Sequence, residues 1–179
     1  MALPRINVQP GELYLACEPA ILQTILGSCV SVTFWSPRLG VGALCHGVLP
    51  RSPRGAVAPD GHHYVDFAIR HLVRKFDELG AARREVEIKV FGGGDVLPVG
   101  TFRTSRPTVG ALNCQAALEV LDEEGFAVLA SDLGGTRGRT IRFHTATGEV
   151  LVHRLERLGA RPRNYAVAVT PAVSPEAWV

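Results

Sequence analysis

Residues 21–46 read ILQTILGSCVSVTFWSPRLGVGALCH. Two apolar runs rich in β-branched residues, Ile21 to Leu26 and Val30 to Trp35, meet at Gly27-Ser28-Cys29. Glycine lacks a Cβ and lets the chain turn where other residues clash, so Cys29 is expected at a bend between two strands. A third apolar run, Val41 to His46, ends on an imidazole. The uncharged stretch from Pro19 to Pro37 is about as long as a membrane helix of roughly 18 residues. Gln23, Thr24, Ser28, Ser31, Thr33 and Ser36 interrupt it and Gly27 divides it, so two buried strands are the better reading.

Outward from that stretch, Glu12 to Cys17 reads as a further strand, and four short strands in the first 46 residues suggest an antiparallel or mixed sheet. Apolar residues at three- and four-residue spacing predict a helix over Val65 to Leu79, stopped by Gly80. A second helix is expected over Thr108 to Glu124, with Val109, Leu112, Ala116, Val120 and Leu121 as its buried face. Val86 to Phe91 and Ala127 to Ser131 read as strands. Arg139 to Thr145 and Glu149 to Leu155 read as a hairpin. Leu49 to Gly61 is a proline-rich loop, taken as a rim or lid over the Cys29 region. Asp95 to Pro107 and the tail from Glu156 are expected to be irregular. The whole reads as one α+β domain over residues 1–179, with a tail at 156–179.

A chain of 179 residues with 46% hydrophobic and 20% charged content has the composition of a globular domain with a substantial core. Its net charge of +2 and scattered basic pairs argue against a nucleic-acid partner or membrane insertion. The segment after Met1 holds Pro4 and Arg5 in place of an apolar run, so no export signal is read there. The four cysteines, Cys17, Cys29, Cys45 and Cys114, lack CxxC spacing and read as reduced thiols in the cytoplasm. Cys17, Cys45 and Cys114 are expected to be small buried hydrophobes.

Cys29 stands apart because a thiol at a glycine bend has backbone amides beside it. An imidazole can take its proton, and the amides near Ser28 and Cys29 can hold a developing oxyanion, which suits acyl transfer. The competing reading is a packed strand-end cysteine whose neighbours Leu26 and Val30 raise its pKa. His46 is the base by placement. His62, His63, His71, His144 and His153 fit solvated positions, although His144 and His153 could meet across the late hairpin. A metal site from His62, His63 and Asp66 matches no known ligand spacing, so neither metal nor cofactor is expected. Thr24 and Ser28 carry the hydroxyls nearest in sequence to orient the imidazole, against a plain strand role for Thr24. Phe91 to Asp95, FGGGD, lacks the GxGxxG and GK[ST] patterns and reads as tight turns near the site.

Several motifs together carry a resemblance. Leu26 to Val32 is LGSCVSV, and Gly42 to Pro50 is GALCHGVLP. Tyr64 to Ile69, Lys89 to Gly93 (KVFGG), Val109-Gly110 with Asn113, and Asp132 to Arg139 (DLGGTRGR) follow in order. Over roughly residues 10–155 the chain resembles the CheD family of chemoreceptor glutamine deamidases. The resemblance implies face-to-face mixed β-sheets flanked by helices in α/β/β/α layers, as in the cytotoxic necrotizing factor catalytic domain. It implies Cys29 as nucleophile, His46 as base and Thr24 as the third residue. In some members the threonine lies one residue upstream, where this chain has Gln23. Gly27 and Ser28 would shape the site. The implied reaction turns receptor glutamine into glutamate through a cysteine thioester, with receptor methylesterase activity as an extension. The implied partners are chemoreceptor cytoplasmic domains and a CheC-type phosphatase. The alternative is a non-catalytic chemotaxis adaptor.

Overall fold

The computed structural model describes residues 2–54, 56–96 and 106–156. Nine strands and two helices follow in the order β1 (Arg5–Asn7), β2 (Leu13–Ala16), β3 (Ile21–Leu26), β4 (Val30–Ser36), β5 (Val41–Gly47), α1 (Val65–Glu78), β6 (Glu87–Gly92), α2 (Val109–Glu123), β7 (Val128–Leu133), β8 (Arg139–His144) and β9 (Val150–Arg154). The strands form two mixed sheets. One is four-stranded in the order β1-β3-β8-β9, and the other five-stranded in the order β2-β5-β4-β6-β7. The fold is therefore α+β with face-to-face sheets. Both helices pack on the outer face of the five-stranded sheet. Among the described residues no helix covers the outer face of the four-stranded sheet, where Ile25 is exposed.

The two apolar runs of the opening stretch are not partners. β3 belongs to the four-stranded sheet and β4 to the five-stranded one, so Gly27-Ser28-Cys29 is the corner where the chain passes between sheets. β4 is the central strand of its sheet and is buried on both faces. Val30, Val32 and Phe34 meet the helices, together with Ala43 and Cys45 of β5 and Ile88 and Val90 of β6. The opposite face joins Leu22 and Leu26 of β3, Leu44 of β5, Phe91 of β6, and Ile141 and Phe143 of β8 in the layer between the sheets. Each such aliphatic or aromatic side chain contributes about 1.5–3 kcal/mol on full burial. Trp35 Nε1 donates to the Thr145 carbonyl at 2.8 Å, and Lys89 Nζ to the Gly148 carbonyl at 2.7 Å, which fastens one sheet to the other.

Some expectations shift. α1 buries Val65, Ala68, Ile69, Leu72, Val73 and Phe76, while Leu79 becomes its half-exposed C-cap before Gly80 at φ +73°. α2 buries Ala116, Val120 and Leu121 as expected, but its first turn faces inward through Gly110 and Asn113, leaving Val109 exposed and Leu112 half-buried. The reason is close approach: a Cβ on Gly110 would lie 2.5 Å from the Gly93 carbonyl oxygen. The β8–β9 hairpin forms, but its register places His153 opposite Thr140, while His144 lies opposite Ile21 of β3. The two histidines are therefore not a cross-strand pair. Cys17 is exposed, not buried, because it lies in the break after β2. The tail from residue 157 and most of the segment expected to be irregular after Asp95 lie outside the described residues.

Candidate active site

The corner is held by its carbonyls. Gly27 O accepts from Gly94 N at 2.8 Å, Cys29 O from Gly93 N at 2.8 Å, and Ser28 O from Asn113 Nδ2 at 2.9 Å. Among the described residues the Ser28 amide has no hydrogen-bond acceptor, and the Cys29 amide is turned to its own thiol. The FGGGD glycines are the tight turns expected, and they make this contact possible. Gly92 has φ +114°, and a Cβ there would lie 2.1 Å from the Cys29 carbonyl oxygen. Gly93 has φ +66°, and a Cβ there would lie 2.0 Å from Cys114 Sγ. Gly27 itself is outside the left-handed region. What its missing Cβ accommodates is Val96, 3.0 Å from where that atom would be.

His46 is placed by β5. It pairs with Ser31 of β4, so the two side chains share a face, and Cys29 lies two residues before Ser31. Cys29 packs against the layer between the sheets, on the side of Leu44 and Phe91. Thiol and imidazole are thus on one face, toward β3. There the alternation of β3 separates the two candidates for the third residue. Thr24 points inward and is buried, with Oγ1 2.7 Å from His46 Nδ1. Gln23 points outward, and its Nε2 donates to Asn7 Oδ1 at 2.6 Å.

The hydrogen bonds fix the state of the imidazole. Thr24 Oγ1 donates to the Val8 carbonyl at 2.7 Å. A hydroxyl has one proton, so Thr24 accepts from His46 Nδ1–H, and the neutral ring keeps its lone pair on Nε2. Nε2 is buried and has no hydrogen-bond partner among the described residues. Burial pushes the His46 pKa below its ordinary 6.5, with the Val8 carbonyl and Glu12 acting weakly the other way. Burial also raises the Cys29 thiol above its ordinary value, opposed by its own amide. The resting pair is therefore a neutral imidazole and a neutral thiol, not a thiolate–imidazolium pair. Ser31 Oγ, directly across from His46, is likewise buried without a partner among the described residues.

Cys29 opens onto a cleft shared with Gly27, Ser28, Asp95, Val96, Thr108 and Val109. No described residue of the proline-rich loop expected as a lid lines it. Arg51 of that loop pairs with Glu119 on α2, and Ser52 N donates to Asp66 Oδ1 at 2.8 Å, which ties the loop to the helices instead. The His62, His63 and Asp66 trio does not converge either. His62 Nε2 lies 3.2 Å from His71 Nδ1, and Asp66 is occupied by the Ser52 and Phe67 amides. Cys45 is buried with its thiol pushed up to about 12, an unreactive packing residue as expected.

Two residues matter that spacing alone did not single out. Asn113 is a polar residue on the buried face of α2, bonded to Ser28 O and to Val48 O, each at 2.9 Å. Arg139 is buried and bonds Asp132 and the Gly134 carbonyl. It thereby shapes the Gly134-Gly135 turn, where Gly134 N donates to Gly92 O and Asp95 N to Gly135 O, each at 2.8 Å. Both residues fall within the motifs that carry the resemblance. The sequence signal for Asn113 is a polar residue spaced in step with the apolar residues of α2.

Comparison with known proteins follows the same direction. The family model described as CheD chemotactic sensory transduction matches residues 48–154, beginning two residues after His46. A Geobacter sulfurreducens protein named "Probable chemoreceptor glutamine deamidase CheD 2" is 43% identical over 158 residues, covering 88% of this chain and 94% of its own. A protein of Rhodospirillum rubrum whose name has the same wording, without the number, is 39% identical over 155 residues, covering 87% and 85%. A third, from Maridesulfovibrio salexigens, is 37% identical over 158 residues, covering 86% and 93%. With a family match over more than half its length and relatives aligned nearly end to end, the chain belongs to the CheD family.

Proposed function

We propose that this chain is a cysteine-dependent protein-glutamine deamidase acting on chemoreceptors. The observation that carries this reading is His46 Nε2, a buried, unpartnered lone pair whose tautomer is set by Thr24 and which lies on the same sheet face as Cys29. The names of the relatives supply the substrate class.

In the proposed reaction a receptor glutamine enters the cleft with its amide carbon beside Cys29. The catalytic contact closes as substrate fills the site, a step that active sites commonly leave unmade when empty. Nε2 takes the thiol proton, and sulfur attacks the amide carbon. The Ser28 and Cys29 amides take the developing oxyanion. The imidazolium gives its proton to the departing nitrogen, and ammonia leaves a thioester. Water then attacks, its proton passing to Nε2, and glutamate and free thiol are released. The sum is amide plus water to acid plus ammonia, and no step requires a cofactor. Receptor methylglutamate offers the same acyl carbon with a methoxide leaving group, so methylesterase activity belongs to the same proposal.

The substrate segments of such receptors lie on the cytoplasmic side, and that is where we place the chain. Among the described residues no helix is long and apolar enough to cross a membrane. The cleft at Cys29 is also the surface we assign to a CheC-type phosphatase partner.

The test is incubation with receptor cytoplasmic fragments, followed by peptide mass and released ammonia. Wild type produces the amide-to-acid mass gain, and Cys29→Ala does not. A mass gain that persists in Cys29→Ala overturns the nucleophile. Signalling that survives Cys29→Ala but is lost on changing Val96 or Val109 favours the adaptor alternative.

A further inference from the structure

The β4–β5 ladder ends at the pair Val30–Gly47. The next pair would be Cys29 with Val48, but there the strands part. Val48 N turns away to the His63 carbonyl at 2.7 Å, and Cys29 O is taken by Gly93 N. Two carbonyls are left at the fork, Ser28 O on one strand and Val48 O on the other. Both are acceptors, so neither can satisfy the other. Asn113 fills the gap from α2, with one amide nitrogen and a proton for each carbonyl at 2.9 Å. Ser28 immediately precedes Cys29, and Val48 follows His46 by two residues.

The geometry points to Asn113 as a positioning residue for the reaction proposed above: by tying the bend that carries the thiol to the strand end that carries the imidazole, it sets the separation of Cys29 and His46 while touching neither. The inference rests on the reading of those two residues as nucleophile and base. Gly93 and Gly94 fasten the bend to the end of β6, and the β4–β5 ladder stops at Val30–Gly47, so beyond that pair the link across the fork comes from Asn113. A polar side chain on an apolar helix face costs free energy unless it is hydrogen-bonded, and an alanine or leucine would serve packing alone. Asn113 Oδ1 has no partner among the described residues, so the nitrogen accounts for the residue. The contact of Gly110 with Gly93 brings α2 near enough for a side chain this short to reach both strands.

The test couples kinetics to thiol reactivity. Asn113→Ala is expected to lower kcat for deamidation about a hundredfold, the scale of a misplacement near 1 Å. KM should stay within about threefold, because the cleft wall is unchanged. The deciding readout is alkylation of Cys29 by iodoacetamide near neutral pH, with and without His46→Ala. With Asn113 present, His46→Ala slows alkylation about tenfold, because the base assists the thiol. With Asn113→Ala, removal of His46 should matter by less than about twofold, since coupling is lost when the groups separate. A purely structural role would alter stability and leave this coupling intact. Equal slowing by His46→Ala in both backgrounds overturns the inference about Asn113 alone. No slowing in either overturns the base assignment and the inference with it.

Asn113→Asp keeps the shape and removes the donors, and is measured in the same way if the alanine variant does not fold. In the wild-type protein the two Asn113 Nδ2 protons should exchange slowly by NMR and shift when Cys29 is alkylated. Fast exchange with no shift overturns the inference without any variant.

Discussion

The two halves of the candidate site are held by opposite means. Cys29 is fixed through its main chain: three successive carbonyls, Gly27 O, Ser28 O and Cys29 O, are each taken by a donor from another part of the fold, and the side chain is left half-buried. His46 is fixed through its side chain as well, with Nδ1 bound to Thr24 and Thr24 bound to Val8. A group that must attack is best positioned without a bond to the attacking atom, because any such bond has to be broken first. A base needs its far nitrogen bound, since that bond sets both the ring orientation and the nitrogen that carries the lone pair.

Breaking the main-chain half should cost most. In Gly92→Ala a Cβ meets Cys29 O at 2.1 Å with φ at +114°, so either the bend or β6 must move. The expected loss is roughly 3 kcal/mol or more of stability, with deamidation falling in step, read from denaturant midpoints and rates on one preparation. Thr24→Val attacks the side-chain half and keeps the shape. It leaves His46 Nδ1 and Val8 O unpaired, at about 1–3 kcal/mol. The rate should fall roughly tenfold to a hundredfold as the ring loses its orientation. A Thr24→Val enzyme with wild-type kcat would show that the side-chain half needs no such anchor.

The acid side of the pH profile sharpens the comparison further. Burial lowers the His46 pKa, so the acid limb of kcat/KM should lie below 6.5, with no second loss through neutrality. The sign for stability is the same. The folded state favours neutral His46, so this contribution is complete above the unfolded pKa and is lost as pH falls through the lowered folded value. A Tm series from pH 7 to 5 should therefore drop less in His46→Gln than in wild type. A charged resting pair would show instead as an alkaline limb, where the raised imidazolium loses its proton. Ser31→Ala should have the smallest effect. Its Oγ has no partner to lose, so Tm should stay unchanged or rise slightly, within about 1 kcal/mol, by thermal melt.

How much of this the sequence disclosed follows the same division. The bend, the three strands around it and the His46 position follow from apolar runs and one glycine. That β3 and β4 lie in different sheets does not, because the pairing of β3 is decided by residues 139–144, far along the chain. The inward turn of Thr24 was also hidden. Ile21 and Ile25 share the outward face with Gln23, so apolar residues occur on both sides of β3 and the period of two carries no direction. The inward face of the first turn of α2 was hidden for a related reason. Val109 and Leu112 look like core residues, but the approach of Gly110 to Gly93 brings Gly110 and Asn113 inward in their place. Carbonyl positions have no residue type, so the main-chain half of the site could be suspected only from its glycines.

β1 is three residues long, the shortest strand among those described, and nothing in Arg5-Ile6-Asn7 announced it. It runs parallel to β3 and leads into Val8, whose carbonyl holds the Thr24 proton. The nitrogen on which His46 keeps its lone pair is thus decided one hydroxyl away, by a carbonyl that follows a three-residue pairing at the rim of the sheet.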